Sequence, residues 1–170
     1  LFDFAVGFSR QPLPRGNRFA IVTNAGGPGI MATDAAIRHG LDLTTLRPET
    51  IESLKAKLPP TAHAHNPGDV IGDANHERYR AALQAVLADA NVDGVIVLLT
   101  PQSMTEIEKT AETVGEIAAQ QAKPVLASFL GHVDVSAGIQ ILEKYGIPNY
   151  QFPENASRSL AAMARYTHWL

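Results

Sequence analysis

Three observations predict a three-layer α/β fold around a parallel sheet of five strands. Apolar runs at Phe19–Thr23, Gly94–Leu99 and Pro124–Phe129 lack the alternation of half-exposed strands, as expected when both faces are buried. Between the strands lie stretches of roughly a dozen residues with apolar positions at helical spacing. Glycine, proline and asparagine mark most of the boundaries. Strands and helices alternating in this way build right-handed βαβ units.

Taken in order, residues 1–8 read as the end of a preceding helix. Arg10–Asn17, broken by Pro12, Pro14 and Gly16, reads as a linker, so that 1–17 is set apart from a domain over 18–170. The strand Phe19–Thr23 runs into the glycine-rich turn Asn24-Ala25-Gly26-Gly27-Pro28-Gly29. A helix then extends through about His39, with Pro28 at its first position and Gly40 at its end. Leu41–Leu46 is a second, shorter strand, and Glu49–Lys57 is helical until Pro59-Pro60 stops it. His63–Ala74 reads as a loop centred on Asn66-Pro67-Gly68-Asp69. His76–Asp89 places Tyr79, Leu83 and Val86 at helical spacing, with Asp73 or Asn75 as the cap. Gly94–Leu99 is the clearest buried strand and breaks at Thr100-Pro101. Ile107, Ala111, Val114 and Ala118 form one face of the next helix, and Pro124–Phe129 precedes a helix carrying Val135, Ile139 and Leu142. A short strand near Asn149–Phe152 leads to a last helix with Ala156, Leu160 and Met163 on one side. Five strands in this length fit a flavodoxin-like sandwich better than a barrel.

Composition narrows the function classes. The chain has 170 residues, 45% of them hydrophobic and 18% charged, enough apolar content for a packed core. A net charge of -3 argues against a dedicated nucleic-acid binder. Without cysteine there are no disulfides, thiol nucleophiles or thiolate metal sites, which suits a cytoplasmic protein. No apolar run reaches the ~18 residues of a membrane span. The start, Leu1-Phe2-Asp3-Phe4, reads as a cut inside a longer protein.

Ligands of open α/β sheets gather beyond the carboxyl ends of the strands. Three segments fall there: Asn24–Gly29, Asn66–Asp73 and Thr100–Ser103. In the first, Gly26 and Gly27 leave room for close approach, and the amides of Gly26, Gly27, Gly29 and Ile30 are expected to point outward at the positive end of a helix. Such a site favours phosphate or carboxylate. It is neither a G-x-G-x-x-G fingerprint nor a Walker loop, and spacing alone also allows glycines that merely permit a tight strand-to-helix turn. Asn66-Pro67-Gly68-Asp69 and Gly72-Asp73 carry turn and cap residues, and Thr100-Pro101-Gln102 is an ordinary strand terminator.

The six histidines offer no metal set. His63 and His65 share a polar loop without a second ligand pair. His39 and His168 sit at predicted helix C-termini, and His76 reads as a first-turn surface residue. His132 follows a strand, a position from which a histidine can face the site, although a plain loop role is the expected one. Ser9, Ser128 and Ser136 form no nucleophile elbow. No complete catalytic apparatus is present.

In order and spacing, Ile21-Val22-Thr23-Asn24-Ala25-Gly26-Gly27-Pro28-Gly29, Asn66-Pro67-Gly68-Asp69-Val70 with Gly72-Asp73-Ala74, and Thr100-Pro101-Gln102 resemble the nucleoside-diphosphate-forming acyl-CoA synthetases, relatives of succinyl-CoA synthetase. The resemblance covers essentially the whole chain and implies the second flavodoxin-like CoA-ligase domain of an acid–thiol ligase. In that family an acid and CoA are joined through an acyl phosphate and a phosphohistidine that travels to and from an ATP-grasp domain. The resemblance implies phosphate contact at Asn24, Ala25, Gly26, Gly27 and Gly29. It implies substrate contact at Thr100, Pro101 and Gln102, with Asn66 and Asp69. It assigns no catalytic residue and no metal ligand to this chain, since no Ser-His-Thr-Gly-like stretch occurs. No cofactor is implied for this domain alone, whereas ATP or ADP, Mg and CoA serve the complete enzyme. Implied partners are CoA-binding, His-bearing ligase and ATP-grasp domains of the same chain or a partner subunit. An alternative is a non-catalytic ligase-like regulatory module of a protein acetyltransferase fusion. A flavin binder is disfavoured, because aromatics are only 6% and none flanks the first or third loop to stack on a flavin.

Overall fold

The computed structural model describes residues 2–131 and 134–170. Its elements are α1 (Phe2–Arg10), β1 (Arg18–Thr23), α2 (Gly26–Arg38), β2 (Asp42–Leu43), α3 (Pro48–Lys57), β3 (Gly68–Asp69), α4 (His76–Ala88), β4 (Gly94–Leu99), α5 (Ile107–Ala118), β5 (Val125–Phe129), α6 (Ser136–Lys144) and α7 (Pro153–Trp169). The five strands are parallel in the order β2-β1-β4-β5, with β3 also paired to β1. The three-layer sandwich expected from the sequence is therefore the architecture found.

β4 is buried along its whole length, and its residues sort by parity. Val95, Val97 and Leu99 face the layer of α3, α4, α5 and α6 together with Val22, Val125 and Ala127. Ile96 and Leu98 face α2 and α7 with Phe19, Ile21 and Leu126. At ~1.5–3 kcal/mol for each fully buried aliphatic side chain, the continuous apolar run of β4 stabilises both layers at once. On the outer side α1 lies on α7, where the Tyr150 hydroxyl donates to Asp3 O at 3.2 Å and Asn155 Nδ2 donates to Asp3 Oδ2 at 2.8 Å. Gln11 joins this segment to the sheet: its Oε1 accepts from Val125 N–H at 2.8 Å and its Nε2 donates to Gly146 O at 2.8 Å.

The two edges of β1 are built differently. Toward β4 the register runs unbroken from Phe19↔Gly94 to Thr23↔Leu98. Toward the other side, β2 covers only Arg18 and Phe19, and β3 covers only Val22 and Thr23. The Asn66 side chain fills the gap like a short piece of backbone. Its Oδ1 accepts from Ile21 N–H at 3.0 Å, and its Nδ2 donates to Phe19 O at 2.8 Å and Thr44 O at 3.0 Å.

Two expectations need correcting here. The centre of the 63–74 segment is not all loop, because Gly68–Asp69 is a strand of the sheet. The strand expected near Asn149–Phe152 is reduced to a single parallel bridge, Ala127↔Asn149. Ala127 N–H donates to Pro148 O and Tyr150 N–H to Ala127 O, after which the chain turns into α7 at Pro153. The fifth strand is thus β3.

Candidate functional site

β1 sends the chain to β2 on one side, and the later crossover returns it to β4 on the other. The carboxyl ends of β1 and β4 therefore flank the switch point at which open sheets bind ligands. Asn24 and Thr100, each one residue past its strand, are locked together. Thr100 N–H donates to Asn24 Oδ1 at 2.8 Å, and Asn24 Nδ2 donates to Thr100 O at 2.9 Å. Beneath them the buried Tyr79 hydroxyl donates to Leu98 O at 2.9 Å. Burial pushes its ionisation well above the usual tyrosine range, reinforced by the charge of Asp69 and offset in part by the backbone N–H of Asn24. Sequence periodicity marks Tyr79 only as a core position.

One hydroxyl closes the glycine turn. Thr23 Oγ1 accepts from Ala25 N–H at 3.0 Å and donates to Ala25 O at 2.9 Å. Ala25 is the N-cap of α2 and gives no side-chain bond. The helix begins at Gly26, not at Pro28, which corrects the expected start and changes which amides remain unpaired. Gly29 N–H donates to Ala25 O at 3.3 Å, and Ile30 lies further inside the helix, so neither points outward as expected. Pro28 has no N–H. The N–H groups of Gly26 and Gly27 are left without a partner among the described residues, at the positive end of a 13-residue helix.

The surroundings of the two amides differ. A Cβ on Gly27 would meet nothing within 4 Å, whereas one on Gly26 would lie 3.8 Å from Asp69 Oδ2. A Cβ on Gly29 would come within 3.2 Å of Thr23 Cγ2, so this glycine serves close packing against β1. Asp69 Oδ1 accepts from Ile71 N–H at 2.8 Å, and Ile71 has φ 71, a left-handed conformation costly for a β-branched residue. The carboxylate favours the helix start but opposes an anion on its own flank, which leaves the Gly27 side for approach.

A cavity of about 190 Å³ at this helix start is lined by Thr23, Gly26, Gly29, Ile30, His63, Pro67 and Asp69. His63 was missed as a site residue, because a polar loop histidine carries no spacing signal. Its Nδ1 lies 2.9 Å from Pro67 O, so Nδ1–H donates there and fixes the tautomer. His76 is not a plain surface residue either. Its Nδ1 lies 2.6 Å from Glu106 Oε2, tying the start of α4 to the segment after β4. Lys109 and His76 together hold the Glu106 carboxyl down at about 2. Asn75, not Asp73, caps α4 by accepting from Arg78 N–H, while Asp73 pairs with Arg78. His132 lies outside the described residues.

Of the proposed substrate contacts, Gln102 donates its N–H to Thr105 Oγ1 at 2.7 Å and lies against Gly72. Thr100 Oγ1 is buried without a hydrogen-bond partner. Asn66, by contrast, is committed to the sheet. Among the described residues no group of three or more His, Asp or Glu could hold a metal ion. No described helix is long and apolar enough to cross a membrane.

Residues 19–169 match the model of the Ligase-CoA domain. The chain is 41% identical over 160 residues to the alpha subunit of ADP-forming acetate–CoA ligase II from Pyrococcus furiosus, covering 91% of this chain and 35% of that subunit. It is 37% identical over 173 residues to ADP-forming 4-hydroxybutyrate–CoA ligase from Nitrosopumilus maritimus, covering 100% of this chain and 24% of that protein. Among solved structures it superposes with a TM-score of 0.90 and 30% identity on the dinucleotide-forming acetyl-coenzyme A synthetase 1 of Ca. Korarchaeum cryptofilum in complex with phosphate and ADP, covering 98% of this chain and 36% of that one. The chain thus spans about a quarter to a third of its relatives' length.

Proposed function

The chain belongs to the Ligase-CoA domain family, and from that premise we propose that it forms one wall of the active site of an ADP-forming acyl-CoA ligase. In this reading Gly26 and Gly27 hold a phosphoryl group in transit between a histidine of another domain and the acid. The observation that carries it is the pair of unpartnered N–H groups at the head of α2, beside the switch point of the sheet. A phosphoryl group bears close to two negative charges, and a hydrogen bond to a charged group is worth ~1.5–3 kcal/mol. Two such bonds, opposed by Asp69, give affinities on the order of millimolar. That is weak enough for a group that must leave, and a second wall from another domain is what tightens the hold. Ala25 and Gly29 shape the turn, and Asn24 fixes it to β4.

In the same reading the acid lies against Thr100-Pro101-Gln102 at the neighbouring strand end, where Thr100 Oγ1 is buried without a hydrogen-bond partner. Asp69 is read as the group that keeps anions on the Gly27 flank, and Asn66 as scaffold. ATP or ADP and CoA act in the complete ligase, bound by CoA-binding and ATP-grasp domains, with the phosphorylated histidine on a further ligase domain. Magnesium is read as acting with the nucleotide in the complete ligase. We read the assembled enzyme as cytoplasmic.

The test is Gly27→Asp in the complete ligase, following acyl-CoA formed from acid, CoA and ATP. The space at Gly27 admits the new side chain, and a carboxylate at a helix N-terminus favours the fold by ~0.3–1 kcal/mol. Turnover is expected to fall at least ~100-fold, as on removing a transition-state donor. Unchanged turnover removes the phosphate role.

A further inference from the structure

At the opposite pole, where the strands begin, a groove of about 770 Å³ opens between residues 15–17, Gly40 and α7. Arg15, Arg165 and His168 line it together with the small residues Gly16, Gly40, Ala161 and Ala164. Among the described residues no carboxylate lines it. Elsewhere the arginines are matched: Arg10, Arg18, Arg47, Arg78, Arg80 and Arg158 each pair with an acid. Arg15 and Arg165 form no ion pair among the described residues, and neither does Arg38, one residue before the C-cap of α2. Unmatched guanidinium groups are thus gathered at one end of a chain whose net charge is -3.

Helix ends explain part of this. Both α2 and α7 finish here, their last carbonyls favour cations, and Arg165 Nη1 donates to His39 O at 3.0 Å. Arg15 is different. It lies on no helix, is exposed, and makes no side-chain hydrogen bond among the described residues. The nearest buried acid, Asp93 beneath Gly16, is already neutralised by Arg18 through bonds of 2.9 and 2.8 Å.

We propose that this groove binds a phosphate-bearing anion of mononucleotide size, its phosphate held by the guanidinium groups of Arg15 and Arg165. The volume lies within the ~300–1,000 Å³ of small-molecule sites, and planar guanidinium forks match phosphate oxygens two at a time. The site is separate from the phosphoryl role given to Gly26 and Gly27, and either can fail alone.

The probe is ADP, titrated into this chain at low salt while amide NMR shifts are recorded, with adenosine and inorganic phosphate as parallel arms. Saturable shifts at Gly16, Asn17, Gly40 and Ala164 are expected with ADP, weaker ones at the same residues with phosphate, and none with adenosine. Arg15→Gln, which removes no hydrogen bond and keeps the fold, is expected to weaken ADP binding about tenfold, and Arg165→Gln likewise. Shifts that rise linearly without saturating, an equal response to adenosine, or unchanged affinity in Arg15→Gln would each overturn the proposal. A response at Gly26 and Gly27 alone overturns it as well, while leaving the reading of the glycine turn intact.

Discussion

The segment that leaves β1 and the segment that enters β3 are both rich in asparagine, glycine and proline, and both lie against the same strand. After β1, the polar side chains are used to shape the turn. Asn24 holds Thr100, Thr23 closes on Ala25, and the two amides of Gly26 and Gly27 are left over. Before β3, the polar side chain is turned inward, with two Asn66 bonds made to β1 and the third to Thr44 O just past β2. Turn composition therefore does not by itself mark a site. The segment to suspect is the one whose backbone donors end up unpaired and reachable.

The comparison breaks most visibly at Asn66. Asn66→Ala leaves Ile21 N–H unpaired inside the sheet and removes the bonds to Phe19 O and Thr44 O. A buried orphan of this kind costs ~1–3 kcal/mol, and the lost bonds bring the expected destabilisation to about 2–4 kcal/mol in urea unfolding. A loss below about 0.5 kcal/mol, the size of an ordinary surface change, would show that Asn66 is no scaffold. Gly27→Asp sharpens the contrast from the other side, since its large effect is on turnover and its effect on stability is small.

The smallest effect concerns the segment after β4, against which both regions rest. Glu106 is held at about 2 against the usual 4.5, first by Lys109 and then by His76. A lowered carboxyl contributes stability that is fully present above the usual value and lost as pH falls through the folded one. Native protein and Glu106→Gln are thus expected to differ in stability above about pH 4.5 and to converge as pH falls toward 2. Parallel curves through that window would contradict the tie.

The sheet was legible wherever burial on both faces left an apolar run, as in Phe19–Thr23, Gly94–Leu99 and Val125–Phe129. β3 was not, because two residues, Gly68 and Asp69, carry no apolar run and are held by β1 and by the neighbouring Asn66. The opposite error came at Asn149–Phe152, where β-prone residues make one bridge before Pro153 starts α7. At the site, the glycine turn and its place beyond β1 could be read directly. Which amides stay unpaired could not, since that depends on the helix starting at Gly26, two residues before the proline that suggests a start. His63 and the internal role of Asn66 were equally hidden, because both depend on contacts across the fold.

The most direct test of the glycine turn is an amide NMR titration of this chain with inorganic phosphate against chloride at matched ionic strength. Saturable shifts at Gly26 and Gly27 in the millimolar range, with the Asn66 side-chain amide and Asp69 unmoved, are the predicted result. Silence at both glycines, or a response at Asn66 in their place, would contradict the assignment of α2's unpaired amides as the phosphate wall.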